Sequence, residues 1–287
     1  MLFRSPAGVE GAGREFKSMK ASAQAQIKRN HAHYAANRSL YREASLRLAE
    51  LLGDRLRPSN SRTMRGQKQG AIDAGRIWRF DKLEDPHVFK KPIELDEPDL
   101  AICMLLDASG SRTDDQPEIA AQAQVIATAL ERCGIPHMLY AFSSVRGYTV
   151  LREFGGSASA GPGESDSLLN CYAAGLNRDG LALRAAGELF SRSTATTRLL
   201  IVLTDGAPMD SETNATKPYN GKDAIDDTAQ EVRALRARGI NVAAIYNGED
   251  DFFASARLIY GSELVRVSSP YLLAQTVARL IINTAHL

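Results

Sequence analysis

Cysteine and tryptophan are scarce in this 287-residue chain, which contains three cysteines and one tryptophan. Cys103, Cys133 and Cys171 are widely spaced and form no CxxC pair. Neither a disulfide framework nor a zinc knuckle fits that spacing, so we interpret the three cysteines as small core residues.

Long apolar runs are also absent. No segment approaches the roughly 20 apolar residues that a helix needs to cross a bilayer, and the first 20 residues contain no apolar stretch of signal-peptide length. We therefore expect a cytoplasmic protein that has no membrane partner.

Signatures of the common nucleotide-binding and hydrolase sites are missing as well. Residues 221–223, Gly-Lys-Asp, lack the Ser or Thr and the upstream Gly of a P-loop, and the Gly-rich residues 155–163 are not a GxGxxG motif after a strand. No Gly-x-Ser-x-Gly elbow is present. We predict no catalytic residues and no organic cofactor for this chain, and any ATPase activity has to come from another chain.

Three histidines favour a structural interpretation. His137 stands at the start of an apolar segment, where a packing role fits better than catalysis. His31 and His33 lie two residues apart in the basic N-terminal part, and we interpret them as solvated rather than metal-binding.

Charge is distributed unevenly, although the formal net charge is only +1. The first 100 residues hold 19 Lys and Arg against 13 Asp and Glu, a net of +6, whereas the rest carries a net of −5. A basic part of this kind fits a solvated helix face or a docking surface for an acidic partner. A nucleic-acid site is the less favoured alternative, because no nucleic-acid motif accompanies it.

The first 97 residues predict a small N-terminal extension. Apolar residues recur at helical spacing between 37 and 52, which predicts one amphipathic helix. Residues 59–97 mix glycines and prolines with the short run at 76–80, which predicts irregular structure with a hairpin. We place a domain boundary near residues 96–99, so that the extension covers 1–97 and the main domain 98–287.

Strands and helices alternate after that boundary. Such alternation implies right-handed crossovers and a doubly wound, mostly parallel Rossmann-like α/β sheet with helices on both faces. A Gly/Ser-rich loop is predicted at 155–166. The predicted strands are 101–106, 137–142, the edge strand 148–154, 198–203, 241–246 and 264–267, and the predicted helices are 116–132, 181–191, 224–238 and 271–285.

Oxygen-bearing side chains follow the two fully apolar strands. Asp107, Ser109 and Ser111 come directly after the first strand, Asp205 comes directly after the second, and Asp179 lies in a loop between them. The carboxyl ends of parallel strands meet at one edge of a sheet, where ligands bind. Carboxylate and hydroxyl oxygens suit a hard cation that keeps some of its waters, so we predict a Mg²⁺ site here, with Mn²⁺ or Ca²⁺ as alternatives.

Each loop taken alone has a simpler explanation. Asp-x-Ser-x-Ser and Asp205-Gly206 are common turn formers, and Asp179-Gly180 is able to cap the following helix. The joint placement of the three loops favours the metal site. Within it, we expect Ser109 and Ser111 to bind the metal directly, and Asp107 and Asp205 to act through waters or by orienting the hydroxyls.

The three loops resemble the metal-site loops, of the MIDAS kind, of von Willebrand factor A (VWA) domains. They read Asp-Ala-Ser-Gly-Ser at 107–111, Asn-Arg-Asp-Gly at 177–180 and Leu-Thr-Asp-Gly-Ala-Pro at 203–208. Residues 70–76 and 131–134 are similar, more narrowly, to the cobaltochelatase CobT branch. The resemblance covers most of the chain from about residue 46, so we expect a shortened relative or a fragment of a longer subunit.

This resemblance implies a partnership. Proteins of this type work beside a ring-forming AAA+ ATPase of the CobS or MoxR kind, and their metal takes an acidic residue of a partner as its last ligand. The CobT branch implies cobalt insertion into a corrin in cobalamin biosynthesis, within a hetero-oligomeric ring. The alternatives are a MoxR-associated chaperone subunit that activates metalloenzymes, such as the nitric oxide reductase activation proteins, and a stand-alone protein-binding module.

The second loop departs from the adhesion-type pattern. Adhesion-type A domains carry a Thr where Asp179 stands here, which leaves their metal with few negative ligands. If Asp179 ligates directly, the three carboxylates satisfy the cation internally and weaken capture of an outside acid. The sequence leaves open whether the partner contact is bridged by the metal.

Overall fold

The computed structural model describes residues 10–56, 63–92, 100–155, 168–211, 218–267 and 269–284. Its N-terminal part has two long helices, α1 (Glu10–Ala36) and α2 (Arg38–Leu56). A small antiparallel sheet follows, in the order β1-β3-β2, from β1 (Thr63–Gln67), β2 (Ala71–Ile72) and β3 (Phe89–Pro92), with helix α3 (Ile77–Leu83) between β2 and β3.

The main sheet has six strands in the order β6-β5-β4-β7-β8-β9, and all neighbouring pairs except β5 and β6 are parallel. These are β4 (Leu100–Asp107), β5 (His137–Val145), β6 (Tyr148–Phe154), β7 (Thr197–Thr204), β8 (Ile240–Tyr246) and β9 (Leu264–Arg266). The helices are α4 (Gln116–Arg132), α5 (Asp179–Phe190), α6 (Gly221–Ala237), α7 (Asp250–Tyr260) and α8 (Pro270–Thr284).

Helices cover both faces of this sheet, which confirms the doubly wound α/β fold. Side chains alternate across a strand, so that Met104 of β4 joins the core formed with α2, α4 and α8, whereas Leu105 joins the core formed with α5, α6 and α7. All eight residues of β4 are buried, as the continuous apolar run predicted.

The N-terminal helices share the first of these cores. Leu48 and Leu52 of α2 are completely buried in the same cluster as the inner residues of α4 and α8. Cys133 Sγ also contacts the Ala49 carbonyl oxygen across this interface, at 3.4 Å. The predicted boundary at residues 96–99 lies outside the described residues, and α2 packs as a layer of the main domain rather than as a separate unit.

The structure adds helices that the sequence patterns missed. The predicted helix at 37–52 is present as α2, but α1 precedes it and has no regular apolar stripe. The run at 76–80, expected in a hairpin, forms part of α3, a helix with no buried residue. Helix α7 was also not predicted, and the predicted loop at 155–166 lies, after residue 155, outside the described residues.

Single residues agree with several structural interpretations. The cysteines are free thiols, with Cys103 and Cys171 buried and Cys133 half-buried. His137 is buried, and its Nδ1 lies 2.9 Å from the Ile135 carbonyl oxygen. In the described part of the chain, no helix is both long enough and apolar enough to span a membrane.

Candidate metal site at the carboxyl ends of β4 and β7

The central strands β4 and β7 lie side by side at the point where the chain changes direction across the sheet. From β4 the chain crosses through α4 to β5 on one side, and from β7 it crosses through α6 to β8 on the other. Leu106 pairs with Leu203, so Asp107 and Thr204 end their strands at the same level. This switch point is the usual ligand-binding position in doubly wound sheets.

The first site loop is a tight turn organised by Asp107. The Asp107 carboxylate accepts a hydrogen bond from the Ser109 backbone N–H at 2.9 Å, and a short 3-10 turn, Gly110–Arg112, follows. The Ala108 N–H continues the strand pairing by donating to the Phe142 carbonyl oxygen at 2.9 Å. The turn therefore projects the Ser109 and Ser111 hydroxyls beside the end of β4.

These hydroxyls connect the first loop to the third. Ser109 Oγ lies 3.0 Å from Ser111 Oγ, and Ser111 Oγ donates to Asp205 Oδ2 at 2.9 Å. Asp205 is itself held by the Ala207 N–H, which donates to its other carboxylate oxygen at 3.1 Å. Four of the five predicted ligands thus form one hydrogen-bonded set across 94 positions of sequence between Ser111 and Asp205.

The second loop brings Asn177 and Asp179 behind this set. Asn177 Nδ2 donates to Asp107 Oδ2 at 3.3 Å, which occupies the second oxygen of that carboxylate. Asp179, the first residue of α5, is completely buried and accepts a long hydrogen bond of 3.5 Å from Thr204 Oγ1. Its other oxygen, Oδ1, is buried without a hydrogen-bond partner.

Three buried carboxyl groups in one place repel one another when they are ionised. Burial, and then the charge of Asp205, raise the pKa of Asp107 to about 7. Burial, and then the charges of Asp107 and Asp205, raise the pKa of Asp179 well above its usual range. A cation placed among these groups would lower both pKa values, because it favours the charged form.

Arg112 supplies one positive charge at the edge of the site. Its Nη1 lies 3.7 Å from Asp205 Oδ2 and 3.6 Å from Asp115 Oδ2, and its Nη2 donates to both oxygens of Asn247 at 2.8 Å. The Arg112 side chain is only 3% exposed. One guanidinium offsets one carboxylate, so the other two remain without a counter-charge from this residue.

The oxygen set fits a small dication. In an octahedral Mg²⁺ shell with ligands at about 2.1 Å, neighbouring oxygens lie about 3.0 Å apart. The separations Ser109–Ser111 and Ser111–Asp205, 3.0 and 2.9 Å, match that spacing. Among the described residues, no group of three or more His, Cys, Asp or Glu side chains is arranged to hold a metal ion. Any ion held here therefore takes serine oxygens as well as carboxylates.

Three residues of this centre were not predicted as site residues. Asn177 and Thr204 belong to the loops that carry the predicted ligands, and they orient Asp107 and Asp179. Arg112 directly follows Ser111 in sequence. Their position next to the predicted ligands in sequence is the one signal that could have identified them as site residues. Only the folded loops show which carboxylate each one contacts.

Fold and site together define a doubly wound α/β domain with a hydroxyl-rich acidic centre at its switch point, in which Asp107, Ser109 and Asp205 are buried and Ser111 is exposed. No protein-family model matches the chain. An uncharacterized protein of Pseudomonas aeruginosa is 33% identical over 154 residues, and protein NorD of Brucella abortus is 27% identical over 157 residues. These alignments cover 50% and 51% of this chain, which spans 24% of the length of each relative.

Solved structures align with this chain at low sequence identity. The D319A mutant of the PilB minor pilin from Streptococcus sanguinis aligns with a TM-score of 0.52 and 15% identity, covering 69% of this chain and 64% of that chain. The vWF domain of the pilus tip protein Mfa5 from Porphyromonas gingivalis aligns with a TM-score of 0.47 and 11% identity, covering 63% and 94%.

Proposed function

We propose that this chain is a VWA-type subunit that binds a divalent cation and uses it to hold an acidic residue of a partner protein. The observation that carries the proposal is the hydrogen-bonded set Asp107, Ser109, Ser111 and Asp205 at the switch point. Mg²⁺ is the first candidate because it keeps waters and leaves room for an incoming ligand, and Mn²⁺ and Ca²⁺ are the alternatives.

Asp179 has a different place in this proposal. Its hydrogen bond with Thr204 and its unpartnered Oδ1 support a position behind the direct ligands, where it adds negative charge without completing the coordination shell. A metal site of this composition retains affinity for an outside carboxylate, but less than a site with a neutral residue at 179.

The proposed partner is an AAA+ ATPase. The similarity to protein NorD, together with the resemblance of the three loops to VWA proteins that work with MoxR-type ATPases, favours a role in a MoxR-type machine that activates metalloenzymes. The CobT-like segments at 70–76 and 131–134 support the alternative, a subunit of an ATP-dependent cobaltochelatase of cobalamin biosynthesis. A stand-alone protein-binding module is the third possibility. In the first two cases this chain acts through binding, and the partner ATPase supplies the energy of the reaction.

Affinity purification tests the partnership. The tagged chain, together with any longer form encoded by its gene, is captured from its native cell with Mg²⁺ and ATP, and in parallel with a chelator. We expect a MoxR-like AAA+ protein that is lost with the chelator. A CobS-like ATPase together with corrin-dependent cobalt insertion would favour the chelatase instead, and the absence of any ATPase would favour the stand-alone module.

The Asp107→Ala variant tests the metal site directly. A ligand stabilises only the state that binds it, so millimolar Mg²⁺ should raise the melting temperature of the parent and leave that of the variant unchanged. Thermal unfolding followed by circular dichroism, with and without Mg²⁺, measures both. Equal shifts in the two proteins would contradict the site.

A further inference from the structure

Helix α1 contacts residues 169–175, the segment that precedes the second site loop and hydrogen-bonds to the first. Gln26 pairs with the backbone of Ala173 in both directions: its Nε2 donates to the Ala173 carbonyl oxygen at 3.0 Å, and its Oε1 accepts from the Ala173 N–H at 2.9 Å. Such a pair reproduces the hydrogen bonds that a neighbouring β-strand residue would make. The backbone of Ala173, four residues before Asn177 of the second site loop, is thereby fixed to helix α1.

Asn30 holds the same segment one turn further along α1. Its Nδ2 donates to the carbonyl oxygens of Leu169, at 3.0 Å, and of Cys171, at 2.7 Å. Asn30 is fully buried, and Gln26 is 4% exposed. Burying a side-chain amide costs free energy unless the amide is hydrogen-bonded. Displacement of the segment would break these hydrogen bonds, so the two amides favour its observed position.

The segment held by α1 in turn holds the first site loop. The Ala174 N–H donates to the Ala108 carbonyl oxygen at 2.8 Å, and the Gly110 N–H donates to the Gly175 carbonyl oxygen at 2.8 Å. These two bonds lie on either side of Ser109. On the segment, these bonds are made by Ala174 and Gly175, which directly follow Ala173. Little backbone freedom therefore remains between the α1 contacts and the serine turn.

The opposite side of the segment is also held. Arg152 of β6 donates to the Tyr172 carbonyl oxygen at 2.5 Å, and its guanidinium lies 4.0 Å from the centre of the Tyr172 ring. The Leu176 and Ser144 backbones pair in both directions at 2.6 and 2.8 Å. Residues 169–173 are therefore held from two sides, by Gln26 and Asn30 of α1 at residues 169, 171 and 173 and by Arg152 at residue 172.

We propose that Gln26 and Asn30 are positioning residues for the candidate metal site, an inference that rests on the proposed metal binding. They fix the backbone of 169–173, which fixes the turn that presents the Ser109 and Ser111 hydroxyls. Helix α1 therefore contributes to the affinity of the site for its cation through the backbone of 169–173, and Gln26 and Asn30 are not ligands themselves.

Binding of Mn²⁺ alone to the full chain tests this proposal. Isothermal titration calorimetry compares the parent with Gln26→Ala, and with Gln24→Ala, an exposed glutamine on the same helix, as the matched control. Loss of the groups that orient metal ligands lowers metal affinity by about 10-fold or more. We expect a loss near that lower figure in Gln26→Ala and none in Gln24→Ala, at a temperature where circular dichroism shows every variant folded.

Hydrogen exchange separates positioning from general stability. In Gln26→Ala the amides of Gly110 and Ala174 should exchange faster than in the parent, whereas amides of the distant helix α6 should not. A lower melting temperature with unchanged Mn²⁺ affinity and unchanged exchange at Gly110 overturns the proposal. Gln26→Asn, one methylene shorter, gives the same test if the alanine variant does not fold, and we expect it to lose affinity to an intermediate extent.

The two proposals fail in different ways. If the parent binds no Mn²⁺, the proposed metal function is wrong, and exchange at Gly110 and Ala174 still decides whether α1 positions the loop. If the parent binds Mn²⁺ and Gln26→Ala binds it equally well, the metal function stands and the positioning role of α1 is wrong.

Discussion

At the scale of single residues, Asp179 distinguishes this site from one with a neutral residue in the second loop. It is buried beside Asp107 and Asp205, and its Oδ1 has no hydrogen-bond partner. A buried carboxylate with an unmatched oxygen costs stability and adds negative charge at the position where a partner acid would approach. Under the proposed function, this charge weakens the capture of a partner acid.

The Asp179→Thr variant tests that interpretation. Removing one negative charge close to the metal should strengthen binding of the acidic partner by about fivefold or more, which corresponds to about 1 kcal/mol of reduced repulsion. Calorimetry of the purified ATPase with the Mg²⁺-loaded parent and variant measures the change. Unchanged or weaker binding would show that Asp179 does not limit the contact, and Asp223→Thr, an exposed position on α6, is the control.

Asp107 makes the metal-free protein sensitive to pH. Its pKa is about 7 in the folded chain and near 4 in an unfolded one, so the folded state binds the extra proton between these values. The contribution of this carboxyl to stability is therefore present below about pH 4 and is lost as the pH rises towards 7.

Unfolding by urea between pH 4 and pH 8, in the presence of a chelator, measures that loss. The difference in free energy of unfolding between the parent and Asp107→Asn reports the titration of this group together with its effect on the pKa of Asp179, and it cancels the contribution of distant titrating residues. We expect the parent to lose stability relative to the variant as pH rises, and Mg²⁺ to remove the effect at neutral pH, since the metal favours the charged carboxylate. A difference that is constant with pH would contradict the shifted pKa.

At the scale of secondary-structure elements, Gly206 joins β7 to the third site loop. It has a φ of +69°, and a Cβ at this position would lie 2.6 Å from Ala256 Cβ of α7. Its N–H donates to Thr204 Oγ1 at 2.9 Å. Only glycine allows the chain to turn here with α7 so close, and this turn aims Asp205 at Ser111.

Gly206→Ala should therefore destabilise the protein and weaken metal binding together. The left-handed backbone costs about 1 kcal/mol for alanine, and the overlap with α7 adds about 1–3 kcal/mol. Gly134→Ala is the matched control, because Gly134 has a similar φ of +67° and no atom within 4 Å of its Cβ position. Chemical denaturation measures the free energy of unfolding of both variants. Equal losses of stability in the two would show that the approach of α7 is unimportant.

At the scale of the whole molecule, α2 is a structural layer of the α/β domain. Leu48 is fully buried in the core that α4 and α8 also form. We expect Leu48→Ala to lower the free energy of unfolding by about 2–5 kcal/mol, as for other large-to-small core changes. Leu46, 42% exposed on the same helix, provides the control.

The shape of the unfolding curve completes this test. If the N-terminal helices and the main sheet share one core, the parent unfolds in a single transition seen equally by far-ultraviolet circular dichroism and by near-ultraviolet circular dichroism, which reports the buried rings of Tyr246 and Tyr260. A separate early transition assigned to α2, or a cost below about 0.5 kcal/mol for Leu48→Ala, would show that the extension is only loosely attached.

Much of this architecture was readable from local sequence patterns. The limits of α4 agree with the prediction, β4 and β7 lie where continuous apolar runs predicted buried strands, and β5 begins at the predicted residue 137. Short apolar runs bounded by turn residues report burial directly, because a central strand has no solvent-exposed face. The site residues Asp107, Ser109, Ser111 and Asp205 were predicted for the same reason, since each follows such a strand.

Helices whose stability depends on distant partners were not readable in this way. Helix α1 has no regular apolar stripe, and its buried residues Gln26 and Asn30 are polar. Their burial is meaningful only beside the backbone of 169–173, more than 130 positions away in sequence. Helix α3 exposes its large apolar side chains, including Trp78 and Phe80, so no pattern of burial marked it as a helix.

The sequence by itself determined the α/β class and the residues proposed to bind a cation, because strand burial and turn chemistry are encoded within a few neighbouring positions. Tertiary structure alone decided that Ser111 meets Asp205, that Asp179 lies behind them beside Thr204, and that α1 supports the serine turn. Contacts of this kind depend on strand order and on how helices pack across the sheet, which are properties of the whole folded chain.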